Sequence, residues 1–225
     1  MFIALEGLDG AGKSTQLKLL CQFLAGKGKQ TKFLHFPRFD APVFGELIAK
    51  FLRGDLGDVH TVNPYVVALL FAGDRHAAAA SLRQWMAEGY VVVVDRYVYS
   101  NIGYQCAKLH TAEEKQALRE WILHMEYDYF NIPKPDMTLF LDVPLNHVEQ
   151  KLEAQREGDD RAYLQGKKDI HEASLSLQEQ VRAVYLEQPP ADATFHVIDC
   201  GRDGKIFPAA TIFEKITCTI NTLIE

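Results

Sequence analysis

Short apolar runs alternate along the chain with longer segments in which apolar residues recur at helical spacing. The runs that predict β-strands are FIAL from Phe2, TKFLHF from Thr31, VVVVD from Val91, TLFLDV from Thr138 and TFHVID from Thr194. VVVVD has no polar alternation, as expected for a central strand buried on both faces of a sheet. Strands that alternate with helices in this way predict βαβ units around a parallel sheet, an α/β fold.

Between the strands, three apolar stripes predict helices that pack against the sheet. They are Leu17, Leu20, Cys21 and Leu24, in a helix starting just after Ser14; Leu118, Trp121, Ile122 and Met125; and Ile212, Phe213, Ile216, Ile220 and Leu223. We interpret residues 1–225 as a single domain. The polar, glycine-punctuated stretch from about residue 155 to 168 predicts a mobile lid.

The overall charge restricts the classes of partner. A net charge of −6 argues against general binding to nucleic acid or to a membrane surface, but it leaves room for a local basic site. The longest apolar stretch, YVVALLFAG, is too short to span a bilayer, and the first predicted strand begins at Phe2, where a signal peptide would lie. Four dispersed cysteines without a C-x-x-C pair suit a reducing compartment, so we expect a cytoplasmic protein.

The stretch GLDGAGKST, which follows the first strand, matches the phosphate-binding pattern G-x-x-x-x-G-K-[ST]. Lys13 would reach the β- and γ-phosphates of ATP, and the Ser14 hydroxyl would bind Mg²⁺. The alternative is a glycine-rich turn without a ligand. The residues predicted to hold ATP are Gly7, Gly10, Ala11, Gly12, Lys13, Ser14 and Thr15.

A second group of residues narrows the class of nucleotide-binding protein. Asp95 ends the buried strand VVVVD, where an acidic partner of the metal is expected. The four residues from Asp95 are DRYV, whereas regulatory GTPases have D-x-x-G at this place, and this difference disfavours a switch protein. Arg38, Arg75 and Arg96 stand near strand ends or in the loops after them, where ligands bind in such sheets. Individually each arginine also fits a surface ion pair, but together they indicate a second phosphorylated substrate.

Several stretches of the chain carry a family resemblance. They are, in order, FIALEGLDGAGKST, HFPRF, LFAGDR, VVVVDRYVYSN, GYQCAKL, IPKPD and DIHE. Through these stretches the chain resembles the thymidylate kinases over nearly its whole length. The resemblance implies a P-loop kinase fold with a five-stranded parallel sheet flanked by helices, and a homodimer. It also implies transfer of the γ-phosphoryl group of ATP to dTMP, giving dTDP and ADP. The rivals are a deoxynucleoside kinase, another nucleoside monophosphate kinase, and a nucleotide-binding protein without turnover.

The same resemblance implies a role for each acceptor-site residue. Asp9 would accept a hydrogen bond from the 3′-hydroxyl, and Tyr104 would crowd the position of a ribose 2′-hydroxyl. Phe71 would stack on thymine, although its place in an apolar helix also fits a core residue. The remaining contacts would be Arg75 to O4, Asn101 to N3 with Ser100 beside it, and Arg38 and Arg96 to the acceptor phosphate.

The predicted reaction needs a cation over the γ-phosphate. Some thymidylate kinases place an arginine within the phosphate loop, where this chain has Gly10. The chain resembles the other type, in which lid arginines supply the charge, and the candidates are Arg156 and Arg161, with Lys167 weaker. A solvated charged face is the alternative for this segment. Asp9, Lys13 and Arg96 complete the predicted catalytic set.

Overall fold

The computed structural model describes residues 1–153, 159–167, 169–172 and 174–224, without the side chains of 153, 159–161, 222 and 224. Five parallel strands form one sheet in the order β2-β3-β1-β4-β5. Their bounds are β1 Phe2–Gly7, β2 Thr31–His35, β3 Val91–Asp95, β4 Met137–Asp142 and β5 Phe195–Asp199. Each predicted strand is confirmed to within one or two residues.

The burial of the strands follows their position in the sheet. Every residue of β1 and β3 is buried, whereas the edge strands β2 and β5 are partly exposed. The strands run parallel and in close register, with Leu5 opposite Asp95 and His35 opposite Asp95. The carboxyl ends of all five strands therefore meet at one edge, and the loops that follow β1, β2 and β3 line a cleft there.

Helices cover both faces of this sheet. Their bounds are α1 Lys13–Gly26, α2 Phe44–Leu52, α3 Pro64–Ala87, α4 Val98–Cys106, α5 Ala112–Leu123, α6 Leu145–Glu153, α7 Leu175–Leu186 and α8 Ala209–Ile224. The first helix begins at Lys13, two residues earlier than predicted, because the left-handed turn at Gly12 places the following residues directly in the helix. No helix in the described ranges is long and apolar enough to cross a membrane.

The second predicted stripe does not lie on one regular helix. α5 ends at Leu123, and a π-helical turn continues from His124 to Tyr129. The wider turn shifts the helical phase, and both Met125 and the carboxylate of Glu126 are buried. An ideal helical period does not predict this inward glutamate.

A small antiparallel hairpin follows β5 and was not predicted. It pairs β6 Gly201–Arg202 with β7 Lys205–Ile206. Asp203 and Gly204, the two residues between these strands, have φ angles of 50° and 75°, as in the tight turns that favour glycine. Strands of two residues are too short to leave a periodic pattern in the sequence.

Candidate active site

The turn between β1 and α1 has the backbone of a phosphate-binding loop. Gly10 and Gly12 have φ angles of 80° and 79°, a left-handed conformation that glycine adopts without strain. Gly12 caps α1 without a side-chain hydrogen bond, so the first amides of the helix are not occupied by a capping side chain. Residues 10–15 line one large cleft, where these amides and the positive end of the helix dipole suit an anion.

Lys13 is buried inside this loop. Its Nζ donates to the carbonyl oxygens of Gly7 and Leu8, at 3.2 and 3.1 Å. Burial, followed by the nearby charge of Arg96, lowers the pKa of Lys13 to about 8. The ammonium group is therefore short of compensating negative charge, and phosphate oxygens would supply it.

Asp95 lines the same cleft, and one of its carboxylate oxygens has no partner in the described part of the chain. Its Oδ2 lies 3.2 Å from Nδ1 of His35, whereas Oδ1 is buried and makes no hydrogen bond there. Burial opposes ionisation, but Lys13 and His35 outweigh it and hold the pKa of Asp95 below its usual value. The free oxygen and the exposed hydroxyl of Ser14 are hard oxygen donors and fit Mg²⁺.

A strained turn after β3 directs Arg96 into the cleft. Arg96 has a φ angle of 64°, which is costly for a residue with a side chain. The buried carboxylate of Glu6 stabilises the turn by accepting from the backbone N–H groups of Tyr97 and Ser100, at 2.8 and 3.1 Å. Glu6 also accepts from the hydroxyls of Ser100 and Tyr185, at 2.5 and 2.9 Å. These four bonds fix the start of α4.

The carboxylate of Asp9 lies between two side chains from the segment that follows β3. Arg96 Nη2 donates to Oδ1 at 2.7 Å, and Tyr104 Oη donates to Oδ2 at 2.7 Å. Arg96 Nη1 also donates to Ser100 Oγ at 3.1 Å. Asp9 belongs to the phosphate loop, whereas its two partners follow β3, so this cluster joins the two halves of the site.

Arg38 is held at the mouth of the same cleft by Asp74. Its Nε and Nη2 lie 2.9 Å from Oδ1, and Nη2 also donates to the Asp74 carbonyl oxygen at 2.8 Å. The backbone N–H of Arg38 donates to Oδ2 at 2.8 Å. Asp74 is fully buried, so the loop after β2 is anchored on α3. A guanidinium has five donors, and those left over can serve a phosphate.

Arg75, Asn101 and Glu126 form a buried group, and two of its members, Arg75 and Asn101, line the cleft. Arg75 donates through Nε and Nη2 to both carboxylate oxygens of Glu126, at 2.5 and 2.7 Å. Asn101 Nδ2 donates to the Ala68 carbonyl and to Glu126 Oε1, both at 3.0 Å. These bonds fix the orientation of the amide. Asn101 Oδ1 is buried and has no partner among the described residues, so it is an acceptor that a ligand can use.

The position of Phe71 fits both a core residue and a ring that contacts a ligand. One side packs on a small core cluster that contains Ile48, Phe51 and Val67. The ring also lines the cleft, together with every other predicted loop and acceptor residue except Gly7. The cleft volume of about 1360 Å³ exceeds the roughly 300–1000 Å³ of a pocket for one small molecule, and it leaves room for two nucleotides.

Comparison with known proteins agrees with this geometry. A family model described as thymidylate kinase matches residues 5–206. The chain belongs to the thymidylate kinase family. The identification from sequence motifs is therefore confirmed, together with the P-loop kinase fold and the enzyme class.

Individual relatives match over most of their length. The thymidylate kinase of Mycobacterium tuberculosis (strain H37Rv) is 35% identical over 189 residues, covering 83% of this chain and 85% of that protein. A probable thymidylate kinase from Thermococcus kodakarensis is 30% identical over 229 residues, covering 100% and 98%. The solved structure of the thymidylate kinase from Candida albicans has a TM-score of 0.73 and 28% identity, covering 99% of this chain and 91% of that one.

The described part of the predicted lid packs beside the loop that carries Arg38. A 3₁₀ helix, Asp159–Leu164, brings the ring of Tyr163 onto that of Phe39, with centroids 3.6 Å apart and planes 8° apart. Arg156 lies outside the described residues, as does the side chain of Arg161. Lys167, the weaker candidate, is exposed and pairs with Asp55 at 2.5 Å, and it does not line the cleft.

Sequence reasoning missed the carboxylates that hold the site together. Glu6 and Asp74 stand inside the motifs FIALEG and LFAGDR, next to the predicted site residues Gly7 and Arg75. Glu126 stands in none of the recognised motifs. Further missed residues line the cleft, namely Lys151, Tyr163, Asp169, His171 and Glu172. Asp169 accepts from Tyr163 Oη at 2.7 Å, and burial, with the nearby charge of Asp9, raises its pKa to about 7.

We expect ATP binding to take up protons above pH 8. With a pKa of about 8, Lys13 is largely neutral at pH 9 in the free enzyme, and the phosphates favour its charged form. Calorimetric titration in buffers of different ionisation enthalpy should show uptake of about one proton at pH 9 and little at pH 7. Lys13→Arg remains charged and should show no uptake at either pH. Equal uptake at pH 9 in the two proteins would contradict the assignment.

Proposed function

We propose that this protein transfers the γ-phosphoryl group of ATP to dTMP, giving dTDP and ADP. The observation that carries the choice of acceptor is the fixed Asn101 amide. Its Nδ2 shares Glu126 Oε1 with Arg75 Nη2, and its Oδ1 has no partner among the described residues. Thymine offers the matching pattern, an N3–H donor next to the O4 acceptor. Cytosine reverses both groups, so it would leave buried polar groups of the protein unpaired.

The proposed reaction is an in-line displacement in which the protein mainly positions groups and neutralises charge. Lys13 and the loop amides would hold the ATP phosphates, while Arg38 and Arg96 align the dTMP phosphate. An acceptor oxygen bonds to the γ-phosphorus as the bond to the β-phosphate oxygen breaks. The acceptor phosphate is already ionised near neutral pH, since its second pKa is about 6, and no general base is required.

Mg²⁺ is the proposed metal, held by Asp95 and the Ser14 hydroxyl, and it would offset negative charge on the ATP phosphates. In the described ranges no three His, Cys, Asp or Glu side chains cluster as a metal cage. That distribution suits Mg²⁺, which keeps several waters and binds through one or two protein groups plus phosphates.

Asp9 and Tyr104 are proposed to select the sugar. A carboxylate has about four lone-pair sites, so Asp9 can accept from the 3′-hydroxyl while it retains Arg96 and Tyr104. The Tyr104 ring is fixed by its bond to Asp9 and would occupy the space of a ribose 2′-hydroxyl. Deoxynucleotides would therefore be preferred.

A lid arginine, Arg156 or Arg161, is proposed to supply the transition-state cation. Gly10 leaves the phosphate loop without a side-chain charge at that position. The described end of the lid lies against the acceptor side of the cleft, since Tyr163 lines the cleft and stacks on Phe39. This contact supports a lid that lies against the cleft.

The proposed assembly is a cytoplasmic homodimer formed through α3. Val66 and Leu69 are 53% and 45% exposed on its outer side, and the small residues Ala77 and Ala80 continue that surface at helical spacing. Such a stripe suits close packing against a second copy.

All four cysteines are free thiols, which supports a reducing compartment.

The acceptor assignment is tested by steady-state assays with ATP and Mg²⁺ on dTMP, dUMP, dCMP and thymidine. We expect dUMP to lose about 10- to 200-fold in kcat/KM, the cost of one missing methyl group, and dCMP to lose more than about 10³-fold. Thymidine lacks the phosphate that Arg38 and Arg96 bind and should be the poorest acceptor. Preference for thymidine would favour a deoxynucleoside kinase, and ATP binding without dTDP would favour a non-catalytic role.

The dimer proposal is tested by sedimentation of Leu69→Glu. A charge buried in an apolar interface is strongly unfavourable, so we expect this variant to sediment as a monomer while the wild type sediments as a dimer. Val197→Glu, on the edge strand β5, changes another exposed apolar residue and should leave the dimer intact. A dimeric Leu69→Glu variant would rule out α3 as the interface.

A further inference from the structure

His171 lies inside the acceptor half of the cleft and has no role in the proposed mechanism. Its side chain is buried, with 6% relative exposure, and it lines the cleft. Its Nε2 is buried without a hydrogen-bond partner in the described ranges. A buried polar atom left unpaired is destabilising, so such an atom at a ligand site points to a partner that arrives with the ligand.

Three aromatic rings hold the imidazole in place. It is nearly parallel to Tyr104, with centroids 4.7 Å apart and planes 22° apart, and to Phe71, at 6.3 Å and 18°. Phe51 meets it edge-on at 5.4 Å. Tyr104 and Phe71 are the rings assigned to the sugar and the base. His171 therefore lies at the junction of base and sugar.

The backbone of His171 is anchored as well. Its N–H donates to Asp169 Oδ1 at 2.8 Å, and its carbonyl oxygen accepts from Gln178 Nε2 at 2.9 Å. Asp169 is in turn bonded to Tyr163. The imidazole is thus positioned before any ligand binds, as specificity groups usually are.

The charge state of the ring limits what it can bind. Burial, with the nearby cations Lys108 and Arg96, lowers the pKa of His171 well below its usual value, although Asp9 opposes the shift. The imidazole is therefore neutral at physiological pH. A neutral ring suits an uncharged oxygen of a nucleoside better than a phosphate, which the arginines already serve.

We propose that His171 is an acceptor-binding residue whose Nε2 hydrogen-bonds an uncharged oxygen of the nucleoside at the junction of base and sugar. This inference rests on the proposed function, since it takes dTMP as the acceptor. It adds a fixed polar contact to the acceptor besides the Asn101 contact. It also links the segment that follows the lid to acceptor recognition.

The proposal is tested with two substitutions that separate ring packing from hydrogen bonding. His171→Phe retains an aromatic ring in the stack but removes both nitrogens. His171→Gln loses the ring but places an amide near the position of Nε2. We expect His171→Phe to raise KM for dTMP about 3- to 10-fold, with kcat and KM for ATP nearly unchanged. His171→Gln should recover most of the loss.

Several outcomes would overturn this role. They are a wild-type KM for dTMP in His171→Phe, equal impairment of the two variants, and an equal rise in KM for ATP. If His171→Phe fails to fold, the proposal is tested by the ¹⁵N NMR chemical shift of His171 Nε2 in the wild type. The signal that is absent from His171→Gln identifies this nitrogen. Saturating dTMP should move that shift, and an unchanged shift contradicts the proposal. If the wild type phosphorylates dTMP, these outcomes contradict the role of His171 without contradicting the proposed function.

Discussion

The contact on which the site depends most is the carboxylate of Asp9 held between Arg96 and Tyr104, with 2.7 Å bonds to each. Asp9 is part of the loop that would hold ATP, whereas its partners follow the neighbouring strand β3. Because β1 and β3 pair in register, this contact would set the distance between the proposed donor and acceptor sites. Phosphoryl transfer needs in-line geometry, and small misplacements of the reacting groups are costly.

The same arrangement recurs around the acceptor pocket. Each arginine that would contact dTMP has a carboxylate partner: Asp74 for Arg38, Glu126 for Arg75 and Asp9 for Arg96. The partner fixes the guanidinium before the ligand binds and offsets part of the cost of burying it. The net charge of −6 is therefore compatible with an anion site, since recognition depends on local donors rather than on total charge. A fourth carboxylate, Glu6, stabilises the strained Arg96 turn by accepting from backbone N–H groups rather than from a guanidinium.

The parts of this structure that contiguous residues determine could be predicted from the sequence. VVVVD predicts a buried strand, and GLDGAGKST predicts a phosphate loop, because the apolar run and the glycine conformations are local properties. Glu126 could not be predicted, since its partner Arg75 is 51 residues away and a π-helical turn changes its direction. The stack around His171 likewise joins residues from three separate segments.

The most direct measurement of the coupling between the two halves compares Asp9→Asn with the wild type. The substitution retains the shape of the side chain but removes the charge that pairs with Arg96 and would accept from the sugar. We expect KM for dTMP to rise about 10- to 100-fold, the loss expected for hydrogen bonds to a charged group, while the Kd for ATP stays nearly unchanged. A large loss of ATP affinity with a normal KM for dTMP would contradict it.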